Sequence, residues 1–108
     1  MVKSFLKKGH LLLCPFLFLL VSCVSKQPTI EEYNLAQAAY RAAMESEAKR
    51  YAPKVFSRAS KYFKQGERAF ADRYFDKSTA YFRKSRYYSE RAENISRVKM
   101  FKQGDMVP

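Results

Sequence analysis

The feature that most constrains the fold of this chain is an apolar pattern that returns every three or four residues. Residues 53–71 show it most clearly, in a stripe of Val55, Phe56, Ala59, Tyr62, Phe63, Gly66, Ala69 and Phe70. This spacing places the side chains along one face of an α-helix. The chain has no stretch with the period of two that a half-buried strand needs, so the sequence predicts an all-α domain.

Two interruptions divide the pattern into three predicted helices, which we expect to form an antiparallel bundle. The first helix is predicted from Ile30 to about Tyr51. Ala52-Pro53 ends it, because proline disfavours helix for the residue before it and fits the first turn of a new helix. The second helix is predicted from Pro53 to about Ala71. The third is predicted from about Arg73 to Gln103, with Gly104 as its C-terminal cap.

Short polar residues stand where these helices are expected to begin. Thr29 and Glu32 have the spacing of a capping box, and Asp72 is a candidate cap for the third helix. The first helix is expected to bury Tyr33, Ala36, Tyr40 and Ala43. The third is expected to bury Tyr74, Ser78, Tyr81, Phe82, Ser85, Tyr88, Ser89, Ala92 and Ile95. Tyr87 and Phe101 fall outside these stripes and are expected to be exposed.

The N-terminal segment has the composition of a secretory signal peptide. Residues 1–10 contain three lysines and no acid, and residues 11–21 are apolar apart from Cys14 and Pro15. The four residues Leu20-Val21-Ser22-Cys23 resemble the lipobox of bacterial lipoproteins. The resemblance implies cleavage between Ser22 and Cys23 and a diacylglyceryl group on the Cys23 thiol, with no other cofactor. Without an aspartate after Cys23, it also implies the periplasmic face of the outer membrane, if the host is Gram-negative.

Two other interpretations of this segment remain open. It could be an ordinary secretion signal in which Cys23 has no role, or an uncleaved anchor, since Lys8 and Lys26 bracket 17 residues. On the lipoprotein interpretation the chain divides into a signal peptide (1–22), a lipidated N-terminus with a short tether (23–28), a helical domain (29–103) and a tail (104–108).

The helical part resembles two known families. The spacing of Tyr62, Gly66, Phe82 and Ser85, together with Phe75 and Ser78, is similar to one helical hairpin of the tetratricopeptide repeat. The Ala-Pro junction and the long last helix resemble a family of small uncharacterised all-helical envelope lipoproteins. These resemblances imply an envelope protein that binds a partner, and they imply no particular chemistry.

The residue inventory indicates a protein that is not an enzyme. The single histidine, His10, and Cys14 lie in the predicted signal peptide, and Cys23 is the predicted lipid attachment site. The remaining chain has no histidine base, no free thiolate and no His/Cys cluster for a metal. Glu45 and Glu47 are two residues apart, so they do not face each other on a helix.

Positive charge is concentrated in the second and third predicted helices. Residues 54–102 contain 14 Lys or Arg against 5 Asp or Glu. The candidate contacts to an anionic surface are Lys54, Arg58, Lys61, Lys64, Arg68, Arg83, Lys84, Arg86 and Arg91. The alternative is an ordinary solvated face with no ligand.

Two functions are compatible with this sequence. The first is a lipid-anchored binding or adaptor module for another envelope protein or for a second copy of this chain. The second is a structural lipoprotein whose basic face binds an anionic envelope polymer or lipid head groups. Nucleic acid is not an expected partner, because an exported protein rarely meets it.

Overall fold

The computed structural model describes residues 27–104, and over this range the chain is helical with no strand. The helices are α1 (Pro28–Glu45), α2 (Ala48–Tyr51), α3 (Pro53–Ala71) and α4 (Phe75–Lys102). The prediction of an all-α fold is confirmed. The predicted signal peptide, the lipobox with Cys23 and most of the tail lie outside the described residues.

The long helix α4 contacts both other long helices, and it runs antiparallel to α3. The Ser78 hydroxyl donates to the carbonyl of Gly66, and the Ser85 hydroxyl donates to that of Ala59, each at 2.8 Å. Residue numbers therefore rise along α4 as they fall along α3. These bonds join a side chain to the backbone of another helix, so the two helices lie close together.

Contacts between α1 and α4 show that these two helices run in the same direction. Thr29 in the first turn of α1 contacts Thr79, and Glu32 one turn later contacts Arg83. The start of α1 therefore lies beside the start of α4, at the same end of the domain as the α3–α4 turn.

The predicted first helix is broken, so residues 27–104 form four helices where the sequence predicted three. α1 ends at Glu45, and the chain turns through Ser46 and Glu47 before α2 begins. Glu47 has a φ of 56°, in the left-handed region, and cannot continue a right-handed helix. The turn allows Ala48 and Tyr51 to become buried, so burial in the core offsets the broken helix.

The predicted capping box is also wrong. α1 begins two residues earlier, at Pro28, and no side chain caps its N-terminus. The Thr29 hydroxyl lies instead 2.8 Å from that of Thr79 and 3.4 Å from the carbonyl oxygen of Phe75. Glu32 pairs with arginines of α4. The local spacing was suitable for a cap, but contacts with α4 take up both side chains.

A tight turn joins α3 to α4. Asp72 is the C-terminal cap of α3 rather than the N-terminal cap of α4, and the N–H groups of Arg73 and Tyr74 bond to the carbonyls of Phe70 and Ala69. This is the hydrogen-bond pattern of a Schellman motif. α4 therefore begins at Phe75, two residues later than predicted, and Tyr74 is 60% exposed rather than packed in the core.

The buried positions of α4 are mostly small. They follow a strict alternation of four and three residues: Ser78, Phe82, Ser85, Ser89, Ala92 and Ser96. Phe82 is the large member of this set, and it packs against Gly66, where a Cβ atom would lie 2.6 Å from the ring. Small side chains on α4 therefore let α1 and α3 approach it closely.

Candidate functional site: a basic face with stacked tyrosines

Three tyrosines stack along the seam between α3 and α4, and we call them the tyrosine ladder. The ring of Tyr62 on α3 lies 6.3 Å from that of Tyr81 and 5.6 Å from that of Tyr88, both on α4. All three rings are half-buried, so they are neither fully in the core, as the sequence indicated for Tyr81 and Tyr88, nor free in solvent. Tyr87 meets Tyr88 edge-on and is exposed, as predicted.

Cationic side chains from both helices contact these rings. The Arg58 guanidinium lies 5.8 Å from the centre of the Tyr88 ring, and the Lys84 ammonium lies 5.3 Å from the centre of the Tyr62 ring. A cation–π contact at an exposed site contributes about 0.5–1 kcal/mol. Each contact is therefore weak, but together they hold the long basic side chains along the seam.

The structure separates two of the nine predicted basic contacts from the rest. Arg83 Nε lies 3.2 Å from Glu32 Oε1, and Arg86 Nη1 lies 3.7 Å from Glu32 Oε2. The Glu32 side chain is only 13% exposed. Arg83 and Arg86 therefore join α4 to α1, and this carboxylate neutralises part of their charge.

The other seven predicted cations form no ion pair with a carboxylate of residues 27–104. They are all exposed: Lys54, Arg58, Lys61, Lys64, Arg68, Lys84 and Arg91. Their positive charge is therefore available to a partner.

Not all seven lie together. Lys54 is four residues before Arg58, and Lys61 is three residues after it. Both therefore lie on the same side of α3 as Arg58. Arg68 is seven residues after Lys61 and lies on nearly the same side of α3, whereas Lys64 lies farther round the helix, away from the seam. The sequence predicted a single stripe, and the structure places only part of it beside the ladder.

Sequence reasoning missed one cation on this surface. Lys77 lies 5.3 Å from the centre of the Tyr74 ring, seven residues before Lys84, which in turn is seven before Arg91. Two turns of helix bring such residues to nearly the same side, so this spacing was a signal in the sequence. We define the basic face as the tyrosine ladder with Lys54, Arg58, Lys61, Arg68, Lys77, Lys84 and Arg91.

A second feature is an apolar cavity of about 340 Å³ near the α3–α4 turn. It is lined by Ile30 and Tyr33 of α1, Glu67 and Phe70 of α3, and Phe82 of α4. Its walls are apolar except for Glu67, so it has the chemistry to receive an apolar group.

The described residues contain no further grouping with an evident chemistry. Residues 27–104 hold no cluster of three His, Cys, Asp or Glu side chains placed to bind a metal ion. Glu45 and Glu47 are exposed, at the end of α1 and in the turn that follows. Over the same residues, no helix combines the length and apolar character needed to cross a membrane.

Comparison of the chain with models of known protein families, with curated proteins and with solved structures finds no match.

Proposed function

We propose that this protein is a lipid-anchored, non-catalytic binding module of the bacterial envelope whose basic face binds an anionic partner. The observation that carries the proposal is the set of seven exposed cations around the tyrosine ladder, none of which is paired with a carboxylate of the described residues. A patch with unpaired charge of one sign attracts ligands of the other sign.

The anchor in this proposal is the lipid on Cys23. Its support is the resemblance of Leu20-Val21-Ser22-Cys23 to a lipobox after a basic and apolar segment. In a Gram-negative host the domain would face the periplasm from the outer membrane. The tether from Val24 to Pro28 would keep the basic face near the envelope surface.

The finer description of the fold is part of the same proposal. We regard α1, α3 and α4 as a three-helix antiparallel bundle with α2 as a short insertion, and α3–α4 as a tetratricopeptide-like hairpin. The packing of Phe82 against Gly66 supports the hairpin, because an aromatic residue facing a small one is the pattern on which the resemblance rests.

The energetics favour a partner with many negative charges. A single exposed ion pair contributes only about 0–1 kcal/mol, and salt screens it. A polymer that contacts several of these cations at once adds such contributions, so a repeating anionic envelope polymer suits the basic face better than a small anion.

Binding of full-length protein in detergent micelles to long-chain polyphosphate, used as an anionic probe, tests this function. The variant Arg58→Gln/Lys61→Gln/Lys84→Gln removes three charges from the basic face. We expect its Kd to rise about ten- to a hundredfold, since each tenfold is about 1.4 kcal/mol. The wild-type affinity should fall steeply with salt.

The matched control Arg41→Gln/Lys49→Gln/Lys102→Gln removes the same charge from exposed positions away from the ladder. We expect this control to weaken binding by less than about threefold, or roughly 0.6 kcal/mol. Equal weakening by both variants would mean that only net charge matters, and the basic face would not be the site.

The adaptor function is the second candidate, and exposed apolar side chains on other surfaces favour it. Leu35 and Met44 of α1, and Tyr87 and Phe101 of α4, are each more than two-fifths exposed. Crosslinking in the native envelope followed by mass spectrometry separates the two candidates. A protein partner or second copy whose capture survives high salt would support the adaptor over the electrostatic function.

A further inference from the structure

Four large apolar side chains are exposed together at one end of the helical domain, and we call them the apolar tip. Phe70, Tyr74 and Phe75 surround the α3–α4 turn, and Ile30 lies in the first turn of α1. Their exposed fractions are 40%, 60%, 42% and 48%. The rings of Phe70 and Phe75 meet edge-on at 5.4 Å, and Ile30 and Phe70 line the same cavity, so the four residues form one surface.

The charges around the apolar tip are mixed. Arg73 and Lys77 lie beside Tyr74, with the Lys77 ammonium over its ring, and Asp72 and Asp76 lie in the same turn region. Electrostatic attraction to an anionic surface therefore nearly cancels here. Aromatic side chains flanked by cations are typical of the interface between water and a membrane, where the ring enters the head-group layer and the charge stays in water.

The length of the tether determines which surface of the domain lies near the membrane. Pro28, where the helix starts, is five residues after Cys23, so the tether reaches at most roughly 18 Å. The Thr29 hydroxyl contacts the backbone of Phe75, so the start of α1 lies directly beside the apolar tip. A lipid on Cys23 therefore holds the tip close to the membrane surface.

The opposite end of α4 also exposes apolar side chains, but it is far from the anchor. Val98 and Phe101 are 53% and 71% exposed. Phe101 is 26 residues after Phe75 on the same helix, which corresponds to about 39 Å. Exposure alone would not distinguish the two ends, whereas the length of the tether does.

We propose that the apolar tip docks into the interfacial layer of the membrane that holds the Cys23 lipid, so that α4 stands away from the bilayer. This inference rests on the lipid anchor in the proposed function. The apolar tip binds the bilayer itself, because exposed Phe and Tyr side chains enter the interfacial layer without a specific protein partner.

Docking by the apolar tip also determines what the basic face can reach. Ile30 and Phe70 line a cavity with Tyr33, between α1 and α3, whereas the tyrosine ladder follows the α3–α4 seam. A domain lying flat on its basic face would turn Ile30 and Phe70 away from the bilayer. With the tip docked, Lys77 lies at the head-group layer, and the rest of the basic face projects into the aqueous layer, where a polymer or protein is accessible.

The test uses the full-length, lipidated protein in vesicles that contain a spin-labelled lipid. A Cys14→Ala background carries a fluorophore on Asp72→Cys at the tip or on Gln103→Cys at the far end. We expect lipid quenching of the tip label to exceed that of the far label at least threefold. Equal quenching of both labels would mean that the domain lies flat, and absence of quenching at the tip would mean that the domain is held off the membrane. Either result would overturn the proposal.

Two matched variants test whether quenching of the tip label is caused by docking of the apolar tip. Tyr74→Ser/Phe75→Ser should reduce quenching of the tip label at least twofold, whereas Val98→Ser/Phe101→Ser should leave it unchanged. Circular dichroism establishes that each variant is folded, and a single-residue variant, Tyr74→Ser, serves if the pair unfolds. Unchanged quenching in a folded tip variant contradicts the proposal.

The background protein without an added cysteine tests the anchor separately. It should take up no fluorophore, because acylation blocks Cys23. Labelling of this protein would mean that the anchor in the proposed function is absent. If Cys23 is blocked but the tip label is not quenched, the docking of the tip is rejected and the lipid anchor is retained.

Discussion

Buried serines on α4 are the residues that allow its close contact with α3. Ser78 and Ser85 are completely buried, and each donates a hydrogen bond of 2.8 Å to a backbone carbonyl of α3. Ser89 is equally buried, but its hydroxyl has no hydrogen-bond partner among the described residues. Chemically identical residues on one face therefore have opposite energetic roles.

Replacing these serines one at a time should give opposite effects on stability. Ser85→Ala removes an interhelical hydrogen bond, so we expect the free energy of unfolding to fall by about 1 kcal/mol. Ser89→Ala removes a buried hydroxyl without a partner and introduces a better helix former, so we expect no loss and a gain of up to about 1 kcal/mol. Urea denaturation measures both, and an equal loss in the two variants would contradict the assignment.

The contact between Gly66 and Phe82 leads to a second prediction for single residues. A Cβ atom at Gly66 would lie 2.6 Å from Cε1 of Phe82, a ring that is only 1% exposed and cannot move freely. Overpacking of this kind costs about 1–3 kcal/mol, which exceeds the roughly 1 kcal/mol that alanine gains over glycine in a helix. We therefore expect Gly66→Ala to lower the free energy of unfolding.

The variant Phe82→Leu provides the control for this prediction. If the ring is what the new methyl group meets, Gly66→Ala should cost less in the Phe82→Leu background than in the wild type. A double-mutant cycle of chemical denaturation measures the difference. Stabilisation by Gly66→Ala in the wild type would show that the helices are farther apart than described.

At the scale of elements, two turns place non-glycine residues in the left-handed conformation. Glu47 separates α1 from α2, and Arg73, with a φ of 63°, ends α3 in a position that glycine usually occupies. A left-handed conformation costs a residue with a side chain roughly 1–2 kcal/mol. The hydrogen bonds of the turn and the contacts of the flanking helices offset that cost.

Glycine at the α3–α4 turn should therefore stabilise the protein. We expect Arg73→Gly to raise the free energy of unfolding by about 0.5–1 kcal/mol, after allowing for the greater flexibility of glycine in the unfolded chain. Arg73→Ala removes the same charge but keeps the strained φ, so it should give no gain. Thermal denaturation of the two variants measures the difference, and equal stabilisation would point to charge rather than conformation.

The glutamate that joins α1 to α4 is a further element-scale contact. Glu32→Gln would lose the ion pairs with Arg83 and Arg86 at a site where the carboxylate is mostly buried. We expect a loss of about 1 kcal/mol, because the carboxylate is mostly buried although both guanidinium groups keep contact with water. Glu93→Gln is the matched control: its exposed pair with Arg97 is worth about 0.3–0.5 kcal/mol. Similar losses in both variants would contradict a structural role for Glu32.

The elements were predicted best where their apolar periodicity is strong. The stripe in residues 53–71 predicted α3 with its observed ends, because Pro53 starts a helix for a local reason. The ends of α1 and α4 were predicted less well. Thr29, Glu32 and Asp72 had the local spacing of caps, but contacts with other helices determine where those side chains go. No local signal marks Glu47, whose conformation depends on the burial of α2.

The candidate site was predicted in part for a similar reason. Helical spacing identified the exposed cations of α3, but it could not show that Glu32 would take up Arg83 and Arg86. The tyrosine ladder needs Tyr62 from one helix between Tyr81 and Tyr88 from another, and this contact depends on the antiparallel packing of α3 and α4. Such a surface becomes visible only when the helices are placed together.

At the scale of the whole molecule, the proposals assign different roles to different parts of one small domain. The lipid on Cys23 would hold the protein in the membrane, the apolar tip would orient it, and the basic face would bind an anionic partner in the aqueous layer. Each role has its own variants, so one can fail while the others hold. The orienting role of the tip depends on the anchor, because the tether restricts the position of the domain only if Cys23 is at the membrane.

The intact mass of the protein extracted from bacterial membranes tests this dependence most directly. We expect a polypeptide that begins at Cys23 and carries the added mass of a diacylglyceryl group. The Cys23→Ala variant should lack that mass and leave the membrane fraction. An unlipidated chain that still carries residues 1–22, or unchanged membrane fractionation of Cys23→Ala, would contradict a lipid anchor on Cys23.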